Sequence, residues 1–474
     1  MMNTDDFAGF VSDFEKKLGI GSSYDVEKRE IKVFPRQINI YYLSGLADGM
    51  QAIKIIESIL AIPREREYSF ELVLDNLSHH SVAVIEREEE LYLDFLNGML
   101  VMVFEGEDRA LSVDVRSYPN RSIDEPDMEK VIRGAHDGFT ENFHTNIALL
   151  RRRVKDMRLR NELFTVGAAN PAAVCLSYIA GLCPEAILNK IRGELEKIKV
   201  DHLIMADKAL EELIVRQRFN PYPLVRYTER ADTVAVHLYQ GMFALFVDTS
   251  PSVILAPATF ADHLQHTEEY RQTPLSGTYL RAVRYFGILI SLFLTPVWLA
   301  LLDVGALKGI AALFVPAAGA VNIYLQVAIA EVGVEFLRMA SIHTPTALST
   351  AMGLIAGILL GDIAVAVGLF SIQTVLVVAL SAVGTYATPS YELGLANKIS
   401  KIFFIAATFL FGYWGLIASA IIWFVYLSRL RSVGKPYLYP LVPFNFRRLL
   451  KILIRYPYKN QKQEVTNAKI KMRG

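Results

Sequence analysis

The chain has 474 residues, 49 of them Lys or Arg and 49 Asp or Glu, so its formal charge is zero. Residues 1–284 hold 33 Lys/Arg against 43 Asp/Glu, whereas the stretch after Ser428 holds twelve Lys/Arg and the single acid Glu464. An acidic front half excludes general nucleic-acid binding, which needs a concentrated basic face.

Met1–Asp6 is polar and acidic and lacks an apolar h-region, so no signal or transit peptide is expected and the front half should stay in the cytoplasm. In a reducing compartment Cys175 and Cys183 are expected to be free, packed thiols. Residues 1–23 read as a polar, flexible leader. A first α+β subdomain, 24–160, opens with strands at Ile31–Phe34 and Ile38–Tyr42. Leu91–Phe95 and Leu100–Phe104 flank Asn97-Gly98, a hairpin signal, and another strand follows at Ala110–Val115. From Glu125 to Lys155 the pattern is helical, with Pro126 suited to a first turn.

A second α+β subdomain with its connector, 161–284, reads as a strand at Ala172–Ile179 and helices at Pro184–Lys199 and Met205–Arg216. A hairpin of Thr233–Leu238 with Phe243–Val247 completes it. No internal repeat and no low-complexity segment is visible.

Residues 285–428 change character. Tyr285–Leu302, Gly309–Ala330, Ile363–Tyr391 and Ile402–Ser428 each run without Asp, Glu, Lys or Arg. A hydrocarbon core about 30 Å thick needs about 20 such residues in a helix. The expected architecture is therefore an α+β cytoplasmic N-terminal head of two subdomains followed by an α-helical polytopic transmembrane domain. Five apolar segments occur, at 285–302, 309–330, 346–361, 363–388 and 402–427. A cytoplasmic head and the basic tail, 429–474, should lie on one side, so the number of complete crossings must be even. Four crossings plus a partial segment at 346–361 satisfy this, because a half-spanning helix is tolerated when buried in protein or beside water. The tail's Phe446–Arg455 mixes apolar and basic residues in a way that suits anionic lipid at the membrane surface.

The head offers no enzyme signature: no phosphate-cradling glycine loop and no nucleophile elbow. His263-x-x-His266 has helical metal-ligand spacing but no third ligand, and a solvated helix face is the simpler reading. Arg151-Arg152-Arg153 could bind phosphate or another subunit's acids, or form a charged helix face. In the apolar half Asp362 stands between two segments, with no other charged residue or His from Thr344 to Tyr391. Such a charge costs about 2.5–3.5 kcal/mol at a helix centre, so it marks a functional candidate. Gly353, Gly357 and Gly361 share one helix face and suit close helix packing. Asn322, Gln326, Glu331 and Glu335 form one polar stripe, which several copies around an axis would turn into rings of amide and carboxylate. In a monomer the stripe would instead pack against its neighbours through hydrogen bonds.

The run Arg121–Glu129, then Ile132-Arg133-Gly134, Gly138-Phe139, Glu141, Asn146 and Leu150–Arg153, resembles the A subunits of GerA-type spore germinant receptors. Tyr227–Asp232, Phe246-Val247-Asp248 with Pro251, Pro257, Phe260 and Glu269-Tyr270 continue the resemblance from about residue 30 to about 430. Ala135-His136 stands where receptors usually carry Pro-Arg, Ala231 where they carry Pro, and Glu335–Ser341 where many have an Arg-Glu-Ala segment. These departures are similar to a sporulation-linked member rather than a nutrient receptor.

The resemblance implies an endospore inner-membrane protein acting in germination, a homo-oligomer (a pentamer in the family's A subunits) that conducts monovalent cations. It further implies a small membrane partner protein, receptor subunits as neighbours, and amplification of the germination signal. Subunit contacts in the head would involve Arg133, Arg151, Arg152 and Arg153. Asp362, Asn322, Gln326, Glu331 and Glu335 would line or flank the ion pathway. No cofactor, metal or enzymatic activity is expected. The alternatives are a non-conducting scaffold for receptors or another channel, and a secondary transporter, for which no inverted repeat is visible.

Overall fold

The computed structural model describes residues 7–33, 36–63, 69–117, 135–215, 217, 219–305, 314–316, 321–343 and 357–456. The chain divides into two compact units: residues up to 216 with 225–258, and residues 217–224 with 259–457. Residues 259–284, read above as the end of the second subdomain with its connector, thus group with the helices.

The first unit opens not with a flexible leader but with α1 (Phe7–Leu18), whose Phe14 and Leu18 are buried in the core, and then shows a repeat that the sequence conceals. Strands β1 (Val26–Val33) and β2 (Arg36–Leu43) are followed by helices α2 (Gly49–Leu60) and α3 (Phe70–Asn76). Strand β3 (Val82–Ile85), helix α4 (Glu88–Leu96) and strands β4 (Leu100–Phe104) and β5 (Ala110–Val113) complete the set. After α5 (Phe143–Arg153) the same order returns: β6 (Leu159–Val166), β7 (Ala172–Ile179), α6 (Glu185–Lys197), α7 (Ala206–Ile214), β8 (Arg226–Thr228), α8 (Ala231–Tyr239), β9 (Phe243–Val247) and β10 (Val253–Ala256). The sheets are ordered β1-β2-β4-β5-β3 and β6-β7-β9-β10-β8, antiparallel throughout. Glu88–Leu96, Leu100–Phe104 and Ala110–Val113 recur 143 positions later as Ala231–Tyr239, Phe243–Val247 and Val253–Ala256.

The two segments misread as strands are the equivalent helices of this repeat. In α4 the buried Leu91, Tyr92, Phe95 and Leu96 form one helical face. Three glutamates in its first turn favour the helix dipole. Asn97-Gly98 then ends a helix rather than turning a hairpin, Gly98 taking the left-handed φ of +91° that a helix C-terminus wants. In α8 the buried Ala231, Val234 and Leu238 play the same part, with Gly241 at φ +85°. The helical pattern expected from Glu125 is helix only over Phe143–Arg153, capped by the Asn142 side chain, while 125–134 lie outside the described residues. Both cysteines are free and buried, and burial pushes the Cys183 thiol up to about 12.

The second unit is a helical bundle. Its long helix α11 (Pro274–Val304) follows the short α9 (Phe260–Leu264) and α10 (Thr267–Arg271). Next come α12 (Ile323–His343), a π-helical turn (Ile358–Ile363), α13 (Ile372–Tyr386) and α14 (Tyr391–Arg429). The segment 402–427, read as one apolar span, is folded back on itself. Gly412 has φ 60° and ψ −147°, a region essentially reserved for glycine. The Phe404 and Trp423 rings then lie 6.0 Å apart, and both flank Phe293 of α11, at 5.4 and 5.9 Å. So α14 is a hairpin of two arms, 391–411 and 413–429. Gly412→Ala should lower the apparent Tm of the detergent-purified protein by several degrees, because the turn then forces a side chain into a conformation costing about 1–3 kcal/mol.

Side-chain pairings fix the direction of each helix. Ser381 Oγ donates to Ser291 O at 3.0 Å, and a Cβ on Gly384 would lie 2.4 Å from Gly287 O, so α13 runs antiparallel to α11 at close approach. Tyr324 donates to the Asp303 carboxylate and sets its ring 5.1 Å from Phe409, which places the start of α12 beside the end of α11 and the hairpin tip. The chain therefore runs out along α11 and back along α12. It is at the distal end again by Ser371, whose N–H donates to Gln326 Oε1. It returns along α13, goes out along the first arm of α14 and comes back along the second. The apolar span expected over 402–427 is thus a tight hairpin rather than one uninterrupted helix.

Candidate functional site

The polar stripe of α12 faces inward. Asn322 Oδ1 accepts from Tyr324 N at 2.9 Å at the helix start. Gln326 is buried; its Nε2 donates to Val321 O (2.9 Å) and its Oε1 accepts from Ser371 N (2.8 Å) and Thr374 Oγ1 (3.0 Å). One turn and a half further, Lys401 Nζ donates to Glu331 Oε1 at 2.7 Å and to Ser381 Oγ at 3.1 Å. Lys401 is 2% exposed and Glu331 6%. Glu335 accepts from both Arg338 and Lys398. The rings of amide and carboxylate expected around an oligomer axis are thus not open groups. Gln326, Glu331 and Glu335 are satisfied inside one bundle, where three cations of the same chain meet them.

Lys398, Lys401 and Arg338 escaped the sequence reading because windows without charge were used to bound the apolar segments, which left them in the gaps. A signal was present: Lys398 and Lys401, three apart, match Glu335 and Glu331, four apart, on an antiparallel helix.

Asp362 is exposed on the π-helical turn, a distortion frequent at functional sites. Gly357 and Gly361 have nothing within 4 Å of the place a Cβ would occupy, so among the described residues no helix packs on that face. Gly353 lies outside the described residues.

A finger of chain, 217–224, enters the helical unit between α7 and β8 of the head's second repeat. The buried Tyr222 hydroxyl shares a 2.7 Å hydrogen bond with Ser400 on the first arm of α14 and accepts from Trp423 Nε1 on the second at 2.6 Å. Tyr426 OH donates to Asn220 Oδ1 at 2.8 Å. Residues 220 and 222 thereby hold both arms of the hairpin within the helical unit.

The tail returns to the start of α11. Its helix α15 (Phe446–Leu453) ends against Arg281, whose Nη1 donates to Lys451 O and Ile452 O, both at 3.0 Å. A guanidinium on the last carbonyls of a helix satisfies them and opposes the dipole. Glu269, fully buried, pairs with Arg281 at 2.7 Å and also with Arg284.

In the head, Arg133 lies outside the described residues. Arg151, read as a subunit contact, is 2% exposed and bound to Asp25 at 2.7 Å, so it is an internal strut. Arg152 is exposed, and Arg153 pairs with Asp137. His263 is buried rather than on a solvated face, 6.3 Å ring to ring from Tyr437. Its partner in the motif, His266, accepts from Glu268 N as a helix cap. Among the described residues no three His, Cys, Asp or Glu side chains gather as a metal site.

Two helices among the described residues are long and apolar enough to cross a membrane, Pro274–Val304 (mean hydropathy 2.1) and Tyr391–Arg429 (1.9), the latter broken at Gly412. Residues 13–466 match the family described as Bacillus/Clostridium GerA spore germination protein. The chain is 44% identical to stage V sporulation protein AF of Bacillus subtilis, over 93% of this chain and 91% of that one. It is 32% identical to spore germination protein KA of the same organism, over 94% and 84%. Among solved structures it matches the N-terminal domain of the A subunit of the Bacillus megaterium spore germinant receptor GerK3, with 26% identity and a TM-score of 0.41, over 53% of this chain and 95% of that one.

Proposed function

Because the chain belongs to the GerA family of spore germination proteins, we propose that it is a subunit of an oligomeric channel in the spore inner membrane that releases monovalent cations during germination and amplifies the signal. The observation that carries this reading is the outward face of the π-helical turn. There Asp362 is exposed next to Gly357 and Gly361, whose open side admits another backbone. An acid in an otherwise uncharged stretch is costly unless it meets water or a partner. Small residues beside it let copies of the helix approach around a shared axis.

The ion pathway in this reading runs past Asp362 between subunits. Asn322 flanks its distal end, while Gln326, Glu331 and Glu335 hold α12 against α13 and α14. At 1.5 Å per residue the two arms of α14 are about 32 and 26 Å long, close to the thickness of a hydrocarbon core. Head and tail then share the cytoplasmic side, with the basic tail against anionic lipid. Arg152 and Arg153 would reach a neighbouring head. A small membrane protein and receptor subunits are the proposed partners, and the Tyr222 finger would carry movement of the head to the hairpin.

Cation flux from proteoliposomes containing the purified oligomer tests the reading. Potassium efflux is expected from the wild type, and Asp362→Asn should lower it about tenfold without altering assembly. Unchanged flux in Asp362→Asn would remove that residue from the mechanism. The second reading, a non-conducting scaffold, is favoured by the internal neutralisation of the stripe. Absence of flux from a verified oligomer reconstituted with its membrane partner would select it.

A further inference from the structure

The ion pairs of α12 and α14 form the wall of a cavity of about 420 Å³ near the proximal end of the bundle. Its polar lining includes Glu331, Arg338, Thr388, Ser390, Lys398 and Lys401. Three cations and one carboxylate line it: Glu331 is held by Lys401, while Arg338 and Lys398 share Glu335, which is not itself part of the wall. Over these ion pairs one positive charge is left in a cavity walled by apolar helices. Glu392, in the first turn of α14, is also not part of the wall, and its carboxylate accepts from Ser390 Oγ at 2.9 Å.

Two more features point the same way. The cavity abuts the start of the first arm of α14, whose N-terminal N–H groups and dipole favour an anion. The Thr388 hydroxyl oxygen in the wall is buried with no hydrogen-bond partner, and buried polar atoms are seldom left so.

We propose that this cavity binds a phosphate group whose negative charge is not cancelled by a cation of its own molecule, with Arg338 and Lys398 as its cationic clamp and the Thr388 hydroxyl as a further contact. Lipid headgroups and free phosphate share that chemistry. A basic pocket between apolar helices near one end of a bundle is the usual setting for an anionic headgroup. Arginine supplies the planar fork and lysine the point charge that phosphate recognition uses. The site does not depend on the protein conducting ions.

The test uses the full-length protein in detergent, titrated separately with short-chain phosphatidylglycerol, short-chain phosphatidylcholine and inorganic phosphate. Thermal stability and ligand retention in native mass spectrometry are the readouts. Phosphatidylglycerol is expected to stabilise and to be retained, and phosphatidylcholine is not. Stabilisation by inorganic phosphate at comparable concentration would uphold the site and assign it to the free ion.

Lys398→Gln and Arg338→Gln should each weaken binding at least tenfold. Glu335→Gln, which breaks the same ion pairs but keeps both cations, should bind as well as wild type or better. Gly394→Leu reaches the site by another route: a Cβ there would sit 4.0 Å from Thr385 and Thr388, so the side chain fills the cavity and leaves every charge in place. Loss of binding in Gly394→Leu is expected. Equal stabilisation by phosphatidylcholine, or full binding in Gly394→Leu, would overturn the proposal.

Discussion

Asp25→Ala is expected to cost the head about 3–5 kcal/mol, because it strands a guanidinium in the interior. Arg151 Nε donates to Asp25 Oδ2 at 2.7 Å, and its Nη2 donates to Asp25 Oδ1 and Ser23 Oγ, both at 3.2 Å. Asn161 Nδ2 donates to both Asp25 oxygens at 3.1 Å and its Oδ1 accepts from Ser177 Oγ at 2.7 Å. Ser23 and Asp25 lead into the first repeat, Arg151 lies on the linking helix, and Asn161 and Ser177 belong to the second repeat. The network thus joins the two repeats, and losing one charge should loosen that join. Hydrogen exchange should rise across β6 and β7 before it rises in β4. A double change, Asp25→Leu with Arg151→Met, removes both charges and should recover most of the loss. If Asp25→Ala were as stable as wild type, Arg151 would have to be satisfied by water, and the strut would not hold the repeats.

The same residue sets a pH dependence. Burial alone would raise the Asp25 pKa, but the charge and hydrogen bonds of Arg151, helped by Asn161 and Ser23, outweigh it and hold the carboxyl below its ordinary range. A carboxylate depressed on folding contributes stability that is complete above its unfolded pKa of about 3.9 and is lost as pH falls through the lower folded value. The gap between wild type and Asp25→Ala should therefore be full at neutral pH and close below about pH 4. Urea midpoints of the head, followed by far-ultraviolet circular dichroism, measure it.

What the sequence allowed a reader to see follows from which forces act locally. Ala172–Ile179 and Phe243–Val247 were legible to the residue, because an apolar run bounded by turns has few other outcomes. Helices α4 and α8 were not. Each is a short run whose apolar residues fit either period, and packing under a sheet decides between them. The repeat was hidden because equivalent positions share pattern rather than identity; Gly98-Met99 and Gly241-Met242 are a rare match, kept where a left-handed turn requires glycine. Asp362 drew notice by standing alone in an uncharged stretch. The partners of Glu331 and Glu335 did not, because an ion pair between residues 70 and 63 positions apart has no local signature. Gly412 was one glycine among many until its dihedral angles were known.

Breaking the Glu331–Lys401 pair is expected to have an effect as large as that of Asp25→Ala. Each residue is nearly fully buried among apolar helices, so Glu331→Leu or Lys401→Met leaves a lone charge and should cost about 3–5 kcal/mol. The combined change Glu331→Leu with Lys401→Met removes both and should return the apparent Tm of the detergent-purified protein close to wild type. The coupling energy from that cycle would then be favourable and large, as for residues in direct contact. The cycle also separates two roles that the single variants confuse. A pair that only fastens α12 to the first arm of α14 can be replaced by apolar packing, and potassium flux in proteoliposomes should recover together with stability. A pair on the ion pathway cannot, since an apolar plug replaces charges that a passing cation would meet. Recovery of both is the expected result, because the pathway proposed here runs past Asp362 between subunits. A double variant that is stable, assembled and silent would move the pathway into the interior of each bundle, along the stripe from Gln326 to Glu335.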